Sequence, residues 1–341
     1  MELIHPSALA LCWYITTITM NKILITGALG QIGSELSHAF NERYGNENII
    51  VSDVNPDVDN IYPENTFEQT DVTDYNALEK LIKRHQIDTV IHLAAILSAK
   101  GEQNPGLAWN INVNGLLNVI KLGIKYKLDR LMVPSSIAVF GPQSTLYNAP
   151  QETILKPNTM YGISKVIGEM LGSYYFRKNG LDFRGIRYPG IISYKTLPGG
   201  GTTDYAVEIF YEALKTGHYT CFLSSEACLP MMYMPDCVRA TIELLEADAE
   251  FLKHHGDYNV GAMSFTPEDL AYEIRKYIPN FTIDYKPDFR REIARYWPAS
   301  IDDSAACADW GWLPRYNLEM MVKDMLVHVA EKLNIPFSLK Q

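Results

Sequence analysis

The sequence has no C-x-x-C pair, no H-E-x-x-H element and no extended run of Lys and Arg. Its five cysteines, Cys12, Cys221, Cys228, Cys237 and Cys307, are odd in number and scattered. That excludes a disulfide framework and points to a reduced, cytoplasmic protein. Of eight histidines, His254 and His255 are adjacent, the wrong spacing for two ligands on one helix face, so no metal site is expected. Thirty Lys and Arg against forty Asp and Glu leave a formal net charge of −10. Without a cationic surplus the chain is not expected to bind nucleic acid or an anionic membrane. There is no internal repeat and no low-complexity stretch. The apolar stretch Ala8–Ile15 is too short to cross a bilayer, and Met1–His5 lacks the basic start of a signal peptide. Residues 1–19 are therefore expected to be a disordered extension or a misplaced start, with Met20 opening the folded chain.

What is present is an α/β pattern over 341 residues, 47% of them hydrophobic and 21% charged. Short β-rich runs at 22–26, 48–52, 67–70, 88–94, 130–134 and 183–187 alternate with amphipathic segments, the first opened by residues 27–33 and running to about Tyr44, the others at 74–85, 105–126 and 159–178. Such alternation predicts a Rossmann-like, doubly wound parallel sheet with helices on both faces. Beyond Pro189 the pattern loosens. Helices near 203–216, 235–247, 267–277 and 317–332, with short strands at 257–260 and 281–286, suggest a smaller C-terminal substrate lobe. The expected division is 20–190 for the dinucleotide domain and 191–335 for a partly interleaved lobe over the carboxyl ends of the strands.

The first strand runs into Gly27-Ala28-Leu29-Gly30-Gln31-Ile32-Gly33, which opens a helix. Strand before and helix after give this glycine motif its weight. Gly27 permits the turn, Gly30 lets amides approach a pyrophosphate, and Gly33 lets helix and strand close up. Asp53 ends the second strand, twenty positions past Gly33. A carboxylate there binds ribose hydroxyls and repels a 2′-phosphate, favouring NAD over NADP. The competing reading is a turn residue ahead of Asn55-Pro56.

Tyr161 and Lys165 stand four residues apart, on one face of a helix. A free phenol holds its proton to about 10. A fixed cation beside it favours the phenolate, which can then take a proton from an alcohol as hydride leaves the same carbon.

Together these residues resemble the extended short-chain dehydrogenase/reductase superfamily. The resemblance spans Asn21 to about Leu333 and includes Asp71-Val72, His92-Leu93-Ala94-Ala95, Asn112-Val113-Asn114-Gly115 and Ser135–Gly141. Within it the chain is most similar to the short-chain L-threonine 3-dehydrogenases. The matching stretches are Arg187–Ile191, Pro198–Ala206, and Ser300–Asp303 ahead of Asp309–Trp312.

The resemblance implies that Gln31 and Ile32 join the glycines at NAD, that Asp71 and Val72 hold the adenine, and that Leu93, Ala94 and Ala95 line its ribose and phosphate channel. Asn112 would contact the cofactor from its helix, and Ile191 would sit near the carboxamide. Ser136 is the implied third catalytic group, with Ser135 as the fallback. Lys165 would also hold the nicotinamide ribose.

The implied substrate is L-threonine, held by Ser98, Ser136, Tyr161, Thr202, Thr203 and Asp204. Asp204 is equally readable as a helix N-cap, and Arg187 reads as a structural tie at the end of the sheet, with reach to the substrate as the alternative. The resemblance also implies a homodimer through the helices near 105–126 and 159–178, although an apolar face packed within one monomer explains Tyr174-Tyr175-Phe176 nearly as well. Two rival functions remain open: a nucleotide-sugar epimerase or dehydratase on the same core, and a non-catalytic NAD sensor.

Overall fold

Apolar β-branched runs bounded by glycine, aspartate and histidine build the centre of the molecule. The computed structural model describes residues 20–57, 60–197 and 199–339, so the expected 1–19 extension and Pro198 lie outside the described residues. The chain begins with β1 (Ile23–Thr26), α1 (Gln31–Tyr44), β2 (Ile49–Asp53), β3 (Thr66–Gln69) and α2 (Tyr75–His85). It continues through β4 (Thr89–His92), α3 (Ser98–Gln103), α4 (Pro105–Trp109), α5 (Leu116–Tyr126) and β5 (Arg130–Met132). Next come β6 (Ser135–Ser136), α6 (Met160–Asn179), β7 (Phe183–Arg184), β8 (Ile186–Tyr188) and β9 (Gly190–Ile192).

Five of these strands and β7 form one sheet in the order β3-β2-β1-β4-β5-β7, every pair parallel. Residues of β1 and β4 are fully buried, as expected for strands covered by helices on both faces. The order reverses between β1 and β4, and a crevice opens at their carboxyl ends.

Local chemistry explains several boundaries. Asp74 accepts from the Asn76 and Ala77 amides and starts α2 where the sequence places it. Thr159 does the same for α6 through the Gly162 amide. The helix expected over 105–126 is interrupted by a π-turn at Asn110–Gly115. The strand expected over 183–187 divides at Gly185. Its first half stays beside β5, while β8 leaves to pair with β6 and with β12 (Tyr258–Asn259).

After β9 the chain forms α7 (Tyr205–Lys215), β10 (His218–Cys221), β11 (Leu229–Tyr233) and α8 (Met234–Glu246) ahead of β12. Then follow β13 (Met263–Phe265), α9 (Pro267–Arg275), β14 (Thr282–Tyr285), α10 (Arg290–Ala294), α11 (Ser304–Trp310) and α12 (Leu318–Leu333). Strands β9, β11 and β13 form a second small sheet, and β10 with β14 a third.

The packing runs across the 190/191 boundary. Cys237, Ala240, Leu244 and Leu245 of α8 share a core with Leu36 and Phe40 of α1. Arg43 pairs with Glu246 at one end of that contact. Among the described residues no helix is long and apolar enough to cross a membrane.

Arg184 ties β7 to α8. Its buried guanidinium donates to the carbonyls of Leu244 (2.7 Å), Leu245 (3.1 Å) and Ala247 (2.7 Å), while Asp182 accepts from its Nε and Nη2. A cation at the carbonyl end of a helix satisfies both the orphan acceptors and the dipole. Arg184→Met is therefore expected to cost about 3–5 kcal/mol, since it strands buried carbonyls and an aspartate. Equilibrium denaturation measures this, and a loss below about 1 kcal/mol would show that the tie is dispensable.

Candidate active site

The nucleotide turn leaves β1 at Gly27, whose φ of +70° favours glycine. A Cβ at Gly27 would lie 2.6 Å from the amide nitrogen of Ala94, at the end of β4. At Gly33 it would lie 2.4 Å from the carbonyl oxygen of Gly27. The two glycines thus allow the turn, β4 and α1 to close on one another. No acidic residue occupies the first turn of α1, so its free amides and dipole suit an anion. Gln31 Nε2 is buried without a protein partner, and its side chain lines the crevice. An orphan donor beside a helix N-terminus is the donor set that a pyrophosphate requires. These residues fit a dinucleotide.

Asp53 serves the turn, accepting from Leu29 N (3.2 Å) and Asn55 N (3.1 Å). Carboxylate lone pairs remain for ribose hydroxyls, so its two readings coexist. Asp71 is exposed and accepts from the amide and hydroxyl of Thr73. Val72 is buried, and it packs against Gly115. Asn112 is committed elsewhere. Its amide group accepts from Ile96 N and donates to Ile96 O and Ser164 Oγ, clamping the loop after β4. With Ala94 it faces a cavity of about 20 Å³ behind the crevice, not the crevice itself.

One larger cavity, about 240 Å³, gathers Gly27, Gly30, Gln31, Ile32, Gly33, Leu93, Ala95 and Ile191 with Ser136, Tyr161 and Lys165. Ser98, Thr202, Thr203 and Asp204 line the same cavity. Asp53, Asp71, Val72, Ala94 and Asn112 lie outside its lining. The sequence pattern missed Leu97, Tyr188, Pro189, Gly190 and Trp297, which also line it. Trp297 arrives from an irregular segment after α10, where no periodicity marks it. The aromatic pair Tyr296-Trp297 was the one available signal.

The choice between the serines has a structural basis. Ser135 donates its hydroxyl to buried Glu169, whereas Ser136 faces Tyr161, whose phenol it helps to stabilise as an anion. Arg187 is a tie, as read from sequence: it grips Glu169, Gln151 O and Asn259.

The expected depression of Tyr161 is not what the protein groups alone produce. Burial pushes the phenol up to about 12, and the Ser136 hydrogen bond lowers it only in part. Lys165 donates to Pro134 O at 2.7 Å, with Nζ 5.4 Å from the centre of the Tyr161 ring. Burial brings Lys165 itself down to about 8, against a raising effect from Glu169. Desolvation outweighs the local cation.

At the far end, Ser98 Oγ and Thr202 Oγ1 share a buried hydrogen bond of 3.0 Å. Asp204 Oδ2 accepts from the amides of Gly200 (2.9 Å) and Gly201 (2.7 Å), and its side chain makes no N-cap bond to α7. The carboxylate therefore orders the glycine segment, and Oδ1 keeps acceptor capacity.

Comparison with known proteins places this geometry. Residues 23–261 match the NAD dependent epimerase/dehydratase family. An uncharacterised epimerase/dehydratase of Staphylococcus aureus (strain USA300) is 46% identical over 315 residues, covering 92% of this chain and 98% of its own. The crystal structure of L-threonine dehydrogenase from Clostridium difficile is 48% identical, with a TM-score of 0.90 over 92% of this chain and 98% of that one. The holo form of a GalE-like L-threonine dehydrogenase from Cupriavidus necator is 52% identical, with a TM-score of 0.88 over 90% and 99%.

Asp204 yields a pH prediction. Burial pushes its carboxyl from 3.8 up to about 6, while the Gly201 and Gly200 amides pull the other way. A folded value above the unfolded one means that the native state binds the proton more tightly. Stability therefore falls as pH rises from about 4 to about 6, and the penalty persists above. Asp204→Asn removes the charge but keeps an acceptor for the glycines. Its thermal midpoint relative to wild type is expected to rise between about pH 4 and about pH 7. A wild-type advantage that grows with pH would contradict the assignment.

Proposed function

The chain belongs to the NAD-dependent epimerase/dehydratase family, and on that premise we propose that it oxidises L-threonine with NAD⁺, giving 2-amino-3-oxobutyrate, NADH and a proton. The observation that carries this reading is the single cavity in which Ser136, Tyr161 and Lys165 lie between the glycine turn and the cluster of Ser98, Thr202, Thr203 and Asp204. Similarity near 50% to two proteins described as L-threonine dehydrogenases supports the choice of substrate.

NAD⁺, held by the glycine turn, Gln31 and Asp53, supplies the hydride acceptor and a positive ring. Asp71, Val72 and the Leu93–Ala95 stretch would border its adenosine half, and Ile191 its carboxamide end. Asn112 acts at one remove, by fixing the loop that follows β4. Ser136 hydrogen-bonds the β-hydroxyl oxygen, and Tyr161 takes the hydroxyl proton as the carbon gives up hydride. Burial keeps the phenol protonated against the local groups, and a bound oxidised nicotinamide would supply the further positive charge that favours the phenolate. Lys165 would hold the nicotinamide ribose when the cofactor is bound. Asp204 receives the substrate ammonium, and the hydroxyls of Ser98, Thr202 and Thr203 serve its carboxylate.

The nucleotide-sugar reading draws support from the family and from the Staphylococcus relative. It needs cations for a diphosphate, and Lys165 is the only Lys or Arg among the described residues lining the cavity. A place in threonine breakdown follows from the proposed reaction, and a cytoplasmic location is proposed with it on the odd, scattered cysteines. A homodimer across α4 to α6 is proposed with it, on the exposed apolar side chains of Leu107, Trp109, Met170 and Tyr174.

NAD⁺ with L-threonine is expected to give NADH absorbance, while UDP-glucose or UDP-galactose gives none. Tyr161→Phe should lower the rate by about 10²–10⁴-fold, the range for a lost general base. Full activity in that variant, or turnover of the sugar nucleotide instead, would overturn the reading.

A further inference from the structure

One helical turn beyond Lys165, the carboxylate of Glu169 is buried in α6, with 6% of its side chain exposed. Arg187 of β8 grips it with two hydrogen bonds of 2.8 Å, from Nε and Nη2, and Ser135 donates to the same oxygen as Nε. A buried pair of this kind is a poor source of net stability, because the cost of desolvating both charges offsets their attraction. Its position suggests another role. Glu169, Lys165, Ser135 and His92 surround the cavity of about 20 Å³ behind the crevice. Ser135 belongs to the segment whose Pro134 carbonyl accepts from Lys165 and whose Ser136 faces Tyr161. Arg187 pairs in register with Ser135 across β6 and β8, so carboxylate, guanidinium and strand form one unit.

We infer that Glu169 is a positioning residue for the reaction proposed above: it sets its carboxylate at the small cavity that Lys165 also lines, one helical turn on, and fixes the Pro134–Ser136 segment against α6. The charged groups around it bear this out. From β4, His92 is held neutral by burial and by Lys165, its value driven down to about 3. On α6 itself, Tyr161 holds its proton. From the loop before β12, Asp257 lies 3.7 Å from Arg187 Nη2, on the guanidinium side of the pair, with His254 beyond it. Glu169 is the anion that raises Lys165 against burial. Burial raises the Glu169 carboxyl above its ordinary value, and the Arg187 pair and the Ser135 hydroxyl pull it back towards the ionised form.

The test uses the intact enzyme and reads Lys165 directly. Competitive acetylation across a pH series, with the Lys165 peptide quantified by mass spectrometry, gives the titration of that amine without any substrate. In Glu169→Gln the titration is expected to move to lower pH. The Lys165 inflection in kcat/KM should move the same way, and kcat should fall by at least about tenfold, one pKa unit's worth of charge stabilisation. Glu169→Asp should recover the wild-type titration in large part. Ser135→Ala, which removes the strand contact and no charge, should leave the titration in place while lowering kcat. If Glu169→Gln does not fold, Arg187→Gln carries the test, since it leaves the carboxylate unpaired and protonated and should give the same displacement.

An unmoved Lys165 titration in an enzyme that still oxidises threonine overturns the inference and leaves the proposed function standing. A displaced titration in a protein that gives no NADH from threonine upholds the charge network and removes the proposed function.

Discussion

Desolvation of Tyr161 and Lys165 on one face of α6 is the constraint around which the rest of the site is arranged. Burial alone drives both groups towards their neutral forms, the phenol up and the amine down. A phenol that keeps its proton cannot abstract one from an alcohol, so the surroundings must return the charges. Glu169 does this for the amine from within, and an oxidised nicotinamide would do it for the phenol from outside. The base would then be strong only when the hydride acceptor is in place, which protects a buried phenolate from existing without purpose.

The sheet makes that arrangement reachable. β1 and β4 end side by side at the reversal of strand order, so the glycine turn after one lies against the Leu93–Ala95 stretch after the other. β5 runs on through Pro134 to β6, which brings Ser136 to the mouth of the same crevice. α6 crosses behind it, seated by Thr159 at its start. The segment after β9 closes the far side with Asp204 and its two glycine amides. Each group comes from a different crossing of the chain, yet the parallel register delivers all of them to one edge.

Much of this was legible in the sequence where the signal is local. Capping by Asp74, the strand–glycine–helix order and the four-residue spacing of Tyr161 and Lys165 are all short-range, and they placed α1, α2, α6 and the main strands. The π-turn at Asn110–Gly115 was not legible from periodicity; at its end Gly115 lies so close to Val72 that a Cβ there would meet the valine side chain. The short strands β10, β11 and β13 escaped because their partners are distant in sequence, and the helices α3, α10 and α11 because they are too short to show a period. Ser136 was preferred over Ser135 on resemblance alone; the contact that occupies the Ser135 hydroxyl, with Glu169 thirty-four positions on, carries no local signal. The effect of Lys165 on Tyr161 was misjudged from spacing alone, because spacing carries no information about burial.

The central claim is that hydride leaves the β-carbon of threonine for the nicotinamide while Tyr161 holds the hydroxyl proton. It is tested most directly with L-threonine deuterated at the β-carbon, NAD⁺ and wild-type enzyme, followed by mass measurement of the NADH released. The account predicts NADH one mass unit heavier than that formed from ordinary threonine. NADH of ordinary mass, or none released at all, would contradict it.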